Sequence, residues 1–226
     1  MYMPPPSHLE ITGIVLAGGK SRRMGGGDKG GVEVAGKPML QHIVDRFRPQ
    51  VGRLAINANG DAKRFAAYGL DVFPDATRDY PGPLAGILAG MVWAGKNTPK
   101  ARWIASVPID IPLLPLDLIA RLRAACAANP VAVAIAGSNG RLHPVIGLWP
   151  IGFSGDLAAA LENGVRKVQH WTSRHHAIAV DFPAVEIAGR CVDPFFNVNT
   201  PQDLAALRTL LTAEGSLSHR IAAGAD

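Results

Sequence analysis

Short apolar runs at residues 11–16, 53–57, 71–73, 103–107 and 131–135 are separated by stretches long enough to hold helices. Segments 38–47 and 116–125 carry their apolar positions at helical spacing, and Pro38 and Asp117 supply start signals. A glycine- and alanine-rich stretch, 84–94, follows a Pro-Gly-Pro turn and reads as another helix. This alternation is the βαβ rhythm of an α/β domain, a mostly parallel sheet with helices on both faces. Further along, 145–149 and 177–182 read as strands around a helix near 156–161, which predicts a mixed or antiparallel C-terminal extension. Thr200 is placed to cap a last helix whose first residue is Pro201. The tracts up to about His8 and from about Glu214 lack a periodic apolar face and are expected to fray. No internal repeat is present.

In a doubly wound sheet a ligand lies beyond the carboxyl ends of the strands, where the strand order reverses. The polar residues just after the apolar runs are therefore the ones to weigh. The first run ends in Leu16-Ala-Gly-Gly-Lys-Ser-Arg-Arg-Met-Gly-Gly-Gly-Asp-Lys-Gly30, a loop rich in glycines and cations. Glycines let a backbone approach phosphates and present N–H groups, while Lys20, Arg22, Arg23 and Lys29 can neutralise charge, so the loop suits a nucleoside triphosphate. Two better-known glycine motifs fit poorly. Gly25, Gly27 and Gly30 spell G-x-G-x-x-G, but no helix start follows them. Lys29 lies between Asp28 and Gly30, which a Walker P-loop does not allow.

Composition narrows the field. The 226 residues, 48% hydrophobic, suffice for one sizeable domain. There is no membrane-length apolar run and no signal-peptide pattern at the start, so a cytoplasmic location without membrane attachment is expected. Cys126 and Cys191 lack the spacing of a disulfide framework or a zinc site. The net charge of +5 is explained better by an anionic small molecule than by nucleic acid, because the first cationic cluster sits in a glycine loop and no aromatic ladder accompanies it. A second basic segment, 166–176, mixes Arg166, Lys167, His170, Trp171, Arg174, His175 and His176. It reads either as a surface that stacks or holds a second anion, or as a partly exposed helix with a packed tryptophan.

Further candidates follow other strands. Asp110, in Val107-Pro-Ile-Asp-Ile-Pro112, is a single carboxylate held between prolines, and magnesium often takes only one or two protein carboxylates alongside substrate phosphates. Asp75 or Asp79 can accept from a guanine's N1–H and exocyclic amine; equally, Asp75 can take ribose hydroxyls, or the stretch can cap the next helix. Asn197 and Asn199 place two amides on one face of an extended segment, suited to a heterocycle such as a pterin, though they also suit turn stabilisation. His143, beside Pro144 at a strand start, reads as structural rather than catalytic.

Taken in order, Leu16-Ala-Gly-Gly-Lys-Ser-Arg-Arg-Met-Gly25 with Asp28-Lys-Gly30, Asn57-Ala-Asn59, Tyr80-Pro-Gly-Pro-Leu-Ala-Gly86, Pro108-Ile-Asp110 and Asn197-Val-Asn-Thr-Pro201 resemble the MobA-type molybdenum cofactor guanylyltransferases. The first motif marks only the wider group of nucleotidyltransferases; the later ones single out the guanylyl branch. The resemblance implies a single-domain Rossmann-like nucleotidyltransferase fold over 11–212, with a GTP-binding part at about 11–112, a pterin-side part at about 113–212, a leader at 1–10 and a tail at 213–226. It implies transfer of GMP from GTP to the terminal phosphate of molybdopterin or Mo-molybdopterin. By the same resemblance, Leu16, Ala17, Gly18, Gly19, Lys29, Asn57, Asp75, Gly82 and Asp110 bind the nucleotide, and Asp110 also holds Mg2+. Lys29, Arg22, Arg23 and Asp110 form the catalytic set, and Asn197 and Asn199 fall on the molybdopterin side. Transient docking to molybdenum-cofactor proteins and apo-oxidoreductases is compatible with this role. The alternatives are a molybdopterin cytidylyltransferase, a sugar-phosphate nucleotidyltransferase and a non-catalytic GTP-binding delivery protein.

Overall fold

A computed structural model of the protein describes residues 8–18, 29–75, 82–129 and 131–223, with the backbone alone for 8, 29 and 214–223. In chain order the elements are β1 (Ile11–Leu16), β2 (Glu33–Val34), β3 (Lys37–Pro38), α1 (Met39–Phe47), β4 (Arg53–Asn57), β5 (Asp71–Phe73), α2 (Pro83–Asn97), β6 (Trp103–Pro108) and α3 (Leu118–Ala125). There follow β7 (Ala134–Ser138), β8 (Arg141–Pro150), α4 (Ser154–Glu162), α5 (Val168–Arg174), β9 (Ile178–Asp181), β10 (Val185–Ile187), β11 (Arg190–Val192) and α6 (Pro201–Ala223).

The main sheet runs β5-β4-β1-β6-β8-β7-β9. β4, β5 and β6 join β1 in parallel, and only β8 runs against its neighbours β6 and β7. β1 is buried along nearly its whole length because both faces of a central parallel strand are covered, which is why it reads as a continuous apolar run. One face meets α1 and α3, where Leu40, Ile43, Phe47, Ile119 and Leu122 pack on Val15, Ile56, Val107 and Leu148. The other meets α2, α4 and α5, where Ile87, Met91, Leu157, Leu161 and Trp171 pack on Ile14, Ile104 and Trp149. α1 shows how the pattern works: Met39, Leu40, Ile43, Val44 and Phe47 are buried, a stripe at helical spacing. A third cluster joins Leu207 and Leu210 of α6 to Val34, Met39, Leu113, Ile187 and Val198.

Several elements depart from the expected bounds: β8 starts at Arg141 rather than at 145, and α2 runs on to Asn97. β7 starts at Ala134 rather than at 131, because Asn129 draws the preceding residues into a turn: its carbonyl accepts from the Ala132 N–H and its side chain from the Val131 N–H. The α6 backbone stays helical to Ala223, past residue 212, where the sequence places the domain's end. Its start is as expected. The Thr200 hydroxyl accepts from the Asp203 N–H at 3.1 Å, and the Asp203 carboxylate accepts in return from the Thr200 N–H at 2.8 Å, a reciprocal cap around Pro201.

Candidate active site

The strand order reverses at β1, which sits between β4 and β6, so the crevice lies beyond the carboxyl ends of these strands. Backbone bonds carry the pairing past the strands' last residues: the Ala17 N–H donates to the Asn57 carbonyl at 2.8 Å, and the Ile109 N–H to the Leu16 carbonyl at 3.1 Å. Leu16, Ala17, Asn57 and Asp110 are thereby brought to one edge. Gly18 follows, and among the described residues nothing lies within 4 Å of where its side chain would stand.

Asn57 is 2% exposed, and its amide donates to Asp75 Oδ1 at 3.1 Å. Asn59 donates to Asp75 Oδ2 at 2.7 Å, and its side-chain oxygen Oδ1 accepts from the Asp75 N–H at 3.0 Å. Two amides thus fix both oxygens of one carboxylate at the crevice edge. Each carboxylate oxygen accepts more than one hydrogen bond, so Asp75 keeps capacity for donors of a base or a ribose.

α2 comes close to this network because it carries glycine where it crosses the strands. A Cβ on Gly86 would stand 2.5 Å from Asn57 Oδ1 and 3.0 Å from Leu16 Cδ2. Gly82, just before Pro83, has φ of +139°, a conformation open to glycine, and among the described residues no side chain caps the helix there.

Asp110 follows β6, and its carbonyl accepts from the Val198 N–H at 2.9 Å. One main-chain bond therefore sets the Asn197–Asn199 segment beside Asp110. The Asn199 N–H donates to Asp203 at 3.0 Å, which ties the segment to the head of α6. Among the described residues no cluster of three or more His, Cys, Asp or Glu is placed to hold a metal ion. The donor set is a single hard carboxylate at a strand end, which fits an ion that takes its remaining oxygens from substrate and water.

Gly19, Arg22, Arg23 and Asp79 lie outside the described residues, and so does the Lys29 side chain; the Lys29 backbone opens a single 3-10 turn, Lys29–Gly31. The segment 166–176 resolves toward packing. Trp171 is fully buried against Trp149, Phe153 and His175, and its indole N–H donates to Asp156 at 2.7 Å, so its ring offers no face to a ligand.

Ser138 and Asp193 stand out only in the folded chain. The Ser138 hydroxyl donates to Asp193 Oδ1 at 2.8 Å and lies 2.8 Å from His143 Nε2. Asn139 and the Phe195 N–H also donate to the Asp193 carboxylate, at 3.1 and 2.8 Å. Burial works to raise the Asp193 pKa, but these hydrogen bonds and the nearby His143 outweigh it and hold the carboxyl below its usual range. His143 is held below the usual histidine range by burial first, with Arg141 adding to the effect and Asp193 opposing it. The only local signal was Asn139-Gly140, a dipeptide that marks a tight hairpin; both residues have positive φ.

Fold and site together define a nucleotide-handling α/β enzyme class, and sequence comparison agrees: residues 13–178 match the MobA-like NTP transferase domain, and the chain belongs to that family. Among curated relatives, a molybdenum cofactor guanylyltransferase of Bradyrhizobium sp. (strain ORS 278) is 48% identical over 205 residues, covering 90% of this chain and 94% of that one. The molybdenum cofactor guanylyltransferase of Rhodopseudomonas palustris (strain BisB5) is 46% identical over 204 residues, 90% of this chain and 95% of that one. Of solved structures, molybdopterin-guanine dinucleotide biosynthesis protein A from Archaeoglobus fulgidus superposes with a TM-score of 0.69 at 20% identity, over 89% of this chain and 98% of that one. A 4-diphosphocytidyl-2C-methyl-D-erythritol synthase from Anaerococcus prevotii gives 0.65 at 11% identity, over 89% and 96%. These structural likenesses speak for the fold.

Proposed function

We propose that the protein is a molybdenum cofactor guanylyltransferase. It transfers GMP from GTP to the terminal phosphate of molybdopterin and releases diphosphate. An oxygen of the acceptor phosphate attacks the α-phosphorus, the bond from that phosphorus to the β-phosphate's bridging oxygen breaks, and the guanine dinucleotide form of the cofactor results. The observation that carries the reading is the main-chain bond from Val198 to Asp110, which joins an amide-bearing loop suited to a pterin to the carboxylate expected at the nucleotide's phosphates. Identity of 48% to a guanylyltransferase along nearly the whole chain supports it.

In this reading the part at about 11–112 handles the nucleotide and the part at about 113–212 the acceptor. Leu16, Ala17, Gly18 and Gly19 border the triphosphate, Gly82 lets the backbone turn beside it, and Asp75, ordered by Asn57 and Asn59, takes donors of the base or ribose. Lys29, Arg22 and Arg23 neutralise the diphosphate and the charge of the transition state. Asn197 and Asn199 face the pterin. Asp110 would hold Mg2+, which when bound draws charge from the phosphate oxygens. The protein forms no covalent bond to substrate; positioning and charge neutralisation suffice for in-line transfer. The reading places the enzyme in the cytoplasm, acting on free GTP and cofactor and docking transiently with molybdenum-cofactor proteins or apo-oxidoreductases. Among the described residues no helix is long and apolar enough to cross a membrane.

The test is incubation of purified protein with Mg2+, molybdopterin and GTP, CTP or ATP in parallel, reading diphosphate release and the nucleotide joined to the pterin. Transfer with GTP alone is expected. Transfer with CTP instead would make the enzyme a cytidylyltransferase, and GTP binding without transfer would make it a delivery protein. Asp110→Ala and Lys29→Ala are each expected to abolish most turnover while circular dichroism stays unchanged; wild-type rates in either would reject its assignment.

A further inference from the structure

We propose that Ser138, His143 and Asp193 form a clamp that positions the acceptor-binding loop 193–199, so that they govern affinity for the pterin substrate and leave nucleotide binding alone; this rests on the function proposed above. None of the three has a part in the transfer chemistry, yet they are joined at the edge of the sheet that carries the site. Ser138 ends β7, and His143 lies near the start of β8, the strand beside β6, whose end leads to Asp110.

The cluster exists because the sheet is irregular there. Ala134, Ala136, Ile146 and Leu148 share the core face toward α1 and α3, and Ser138 continues that face by strand alternation. Strict alternation from Ile146 would turn His143 to the opposite face. The register of β7 and β8 shifts between Ile135 and Gly137, however, and His143 is found against Ser138. A bulge that re-aims one side chain beside a site is a recurrent device.

The hydrogen bonds also have a direction. Ser138 spends its one proton on Asp193, so in the contact with His143 the Nε2–H donates and the serine oxygen accepts. Asp193 in turn anchors the loop's own backbone through the Phe195 N–H, and the Phe195 ring rests on His143 at 4.8 Å and on Phe182 at 5.2 Å. At its far end the loop is held by the Val198 bond to Asp110 and the Asn199 bond to Asp203. Asn197 therefore stands between two anchors, and the clamp is the one remote from the nucleotide. Ser138 is 1% exposed, so truncating it removes a buried group on which both Asp193 and His143 depend.

The test compares wild-type protein with Ser138→Ala and Asp193→Asn. It measures KM for molybdopterin, Kd for Mg2+-GTP by calorimetry, and hydrogen exchange over 193–199. The KM for molybdopterin is expected to rise roughly tenfold in both variants, with Kd for GTP unchanged within about twofold and faster exchange confined to the loop. An unchanged KM overturns the clamp. So does an equal loss of both affinities, which would mark a general loss of structure, and so does failure of both variants to fold. Each of these leaves guanylyl transfer standing. Wild-type protein that transfers nothing removes the function and the acceptor assignment together.

Discussion

Asn57 shows how a single side chain can be fixed from several sides. Its amide reaches Asp75, its carbonyl oxygen lies where a Cβ on Gly86 would intrude, and its backbone carbonyl receives Ala17. Gly86→Ala must therefore push Asn57 or lift α2, and a loss of about 1–3 kcal/mol in stability is expected, with weaker GTP binding. Thermal unfolding and GTP calorimetry on the variant test both effects. Cysteine chemistry should divide by burial. Cys126 is buried and its thiol is pushed up to about 11 by desolvation, whereas Cys191 is exposed. One thiol per chain should react with a thiol reagent in the native protein and two in denaturant; two reactive thiols in the native state would contradict the packing. The placement of Asn57, Asp75 and Asp110 at one edge of the sheet was legible in the sequence, because Asn57 ends an apolar run and the two aspartates follow shortly after others. That of Ser138 and Asp193 was not, since they are far apart in the chain and only folding makes them neighbours.

Among the elements, α6 depends on its first turn. Asp203 accepts from the N–H groups of Asn199 and Thr200, so Asp203→Ala removes half of a reciprocal cap and the tether on Asn199 at once. A loss of about 1 kcal/mol is expected, read as a lower urea midpoint with unchanged slope. The Thr200 half of this cap was visible in the sequence, because Thr200 stands directly before Pro201; the return bond to Asp203 is added by the structure. α3 has a different solution. Asp117 stands at its N-terminus but its side chain caps no helix N–H and instead pairs with Arg121 at 3.9 Å, while Gln50, distant in sequence, accepts from the Ile119 N–H at 3.0 Å. The sequence marks the helix start but not the residue that satisfies it. Trp171 makes the same point: its spacing fits either a ligand platform or a core position, and only the partners Trp149, Phe153 and Asp156 decide.

At the scale of the whole molecule, His143 and Asp193 make stability depend on pH in one direction. Both have folded pKa values below their ordinary ones, so in each case the unfolded chain binds more protons as the pH falls. The His143 contribution is complete above about 6.5 and is lost as pH falls through its lowered value; the Asp193 contribution goes in the same way from about 3.9 downward. Urea midpoints followed from neutral to acid should fall in two stages, and His143→Gln should remove the first. A first stage unaltered in that variant would assign it to another group. The alternation of strands and helices gave away the parallel sheet, and the later runs gave away a mixed C-terminal extension, which β8 realises by running against β6 and β7; which single strand reverses was not legible, because apolar runs look alike whichever way they are threaded. The order of strands is likewise a property of long-range pairing, with no local trace.

The bond from the Val198 N–H to the Asp110 carbonyl belongs to the main chain, and that decides which inherited changes this region tolerates. Replacing residues 194–197 alters the lining of the loop without cutting its attachment. Inserting or deleting one residue between Asp193 and Val198 shifts the donor off its acceptor, because Asp193 is fixed on Ser138 and Asn199 on Asp203. Variation among descendants of this gene should therefore be rich in spelling and poor in length across these few positions.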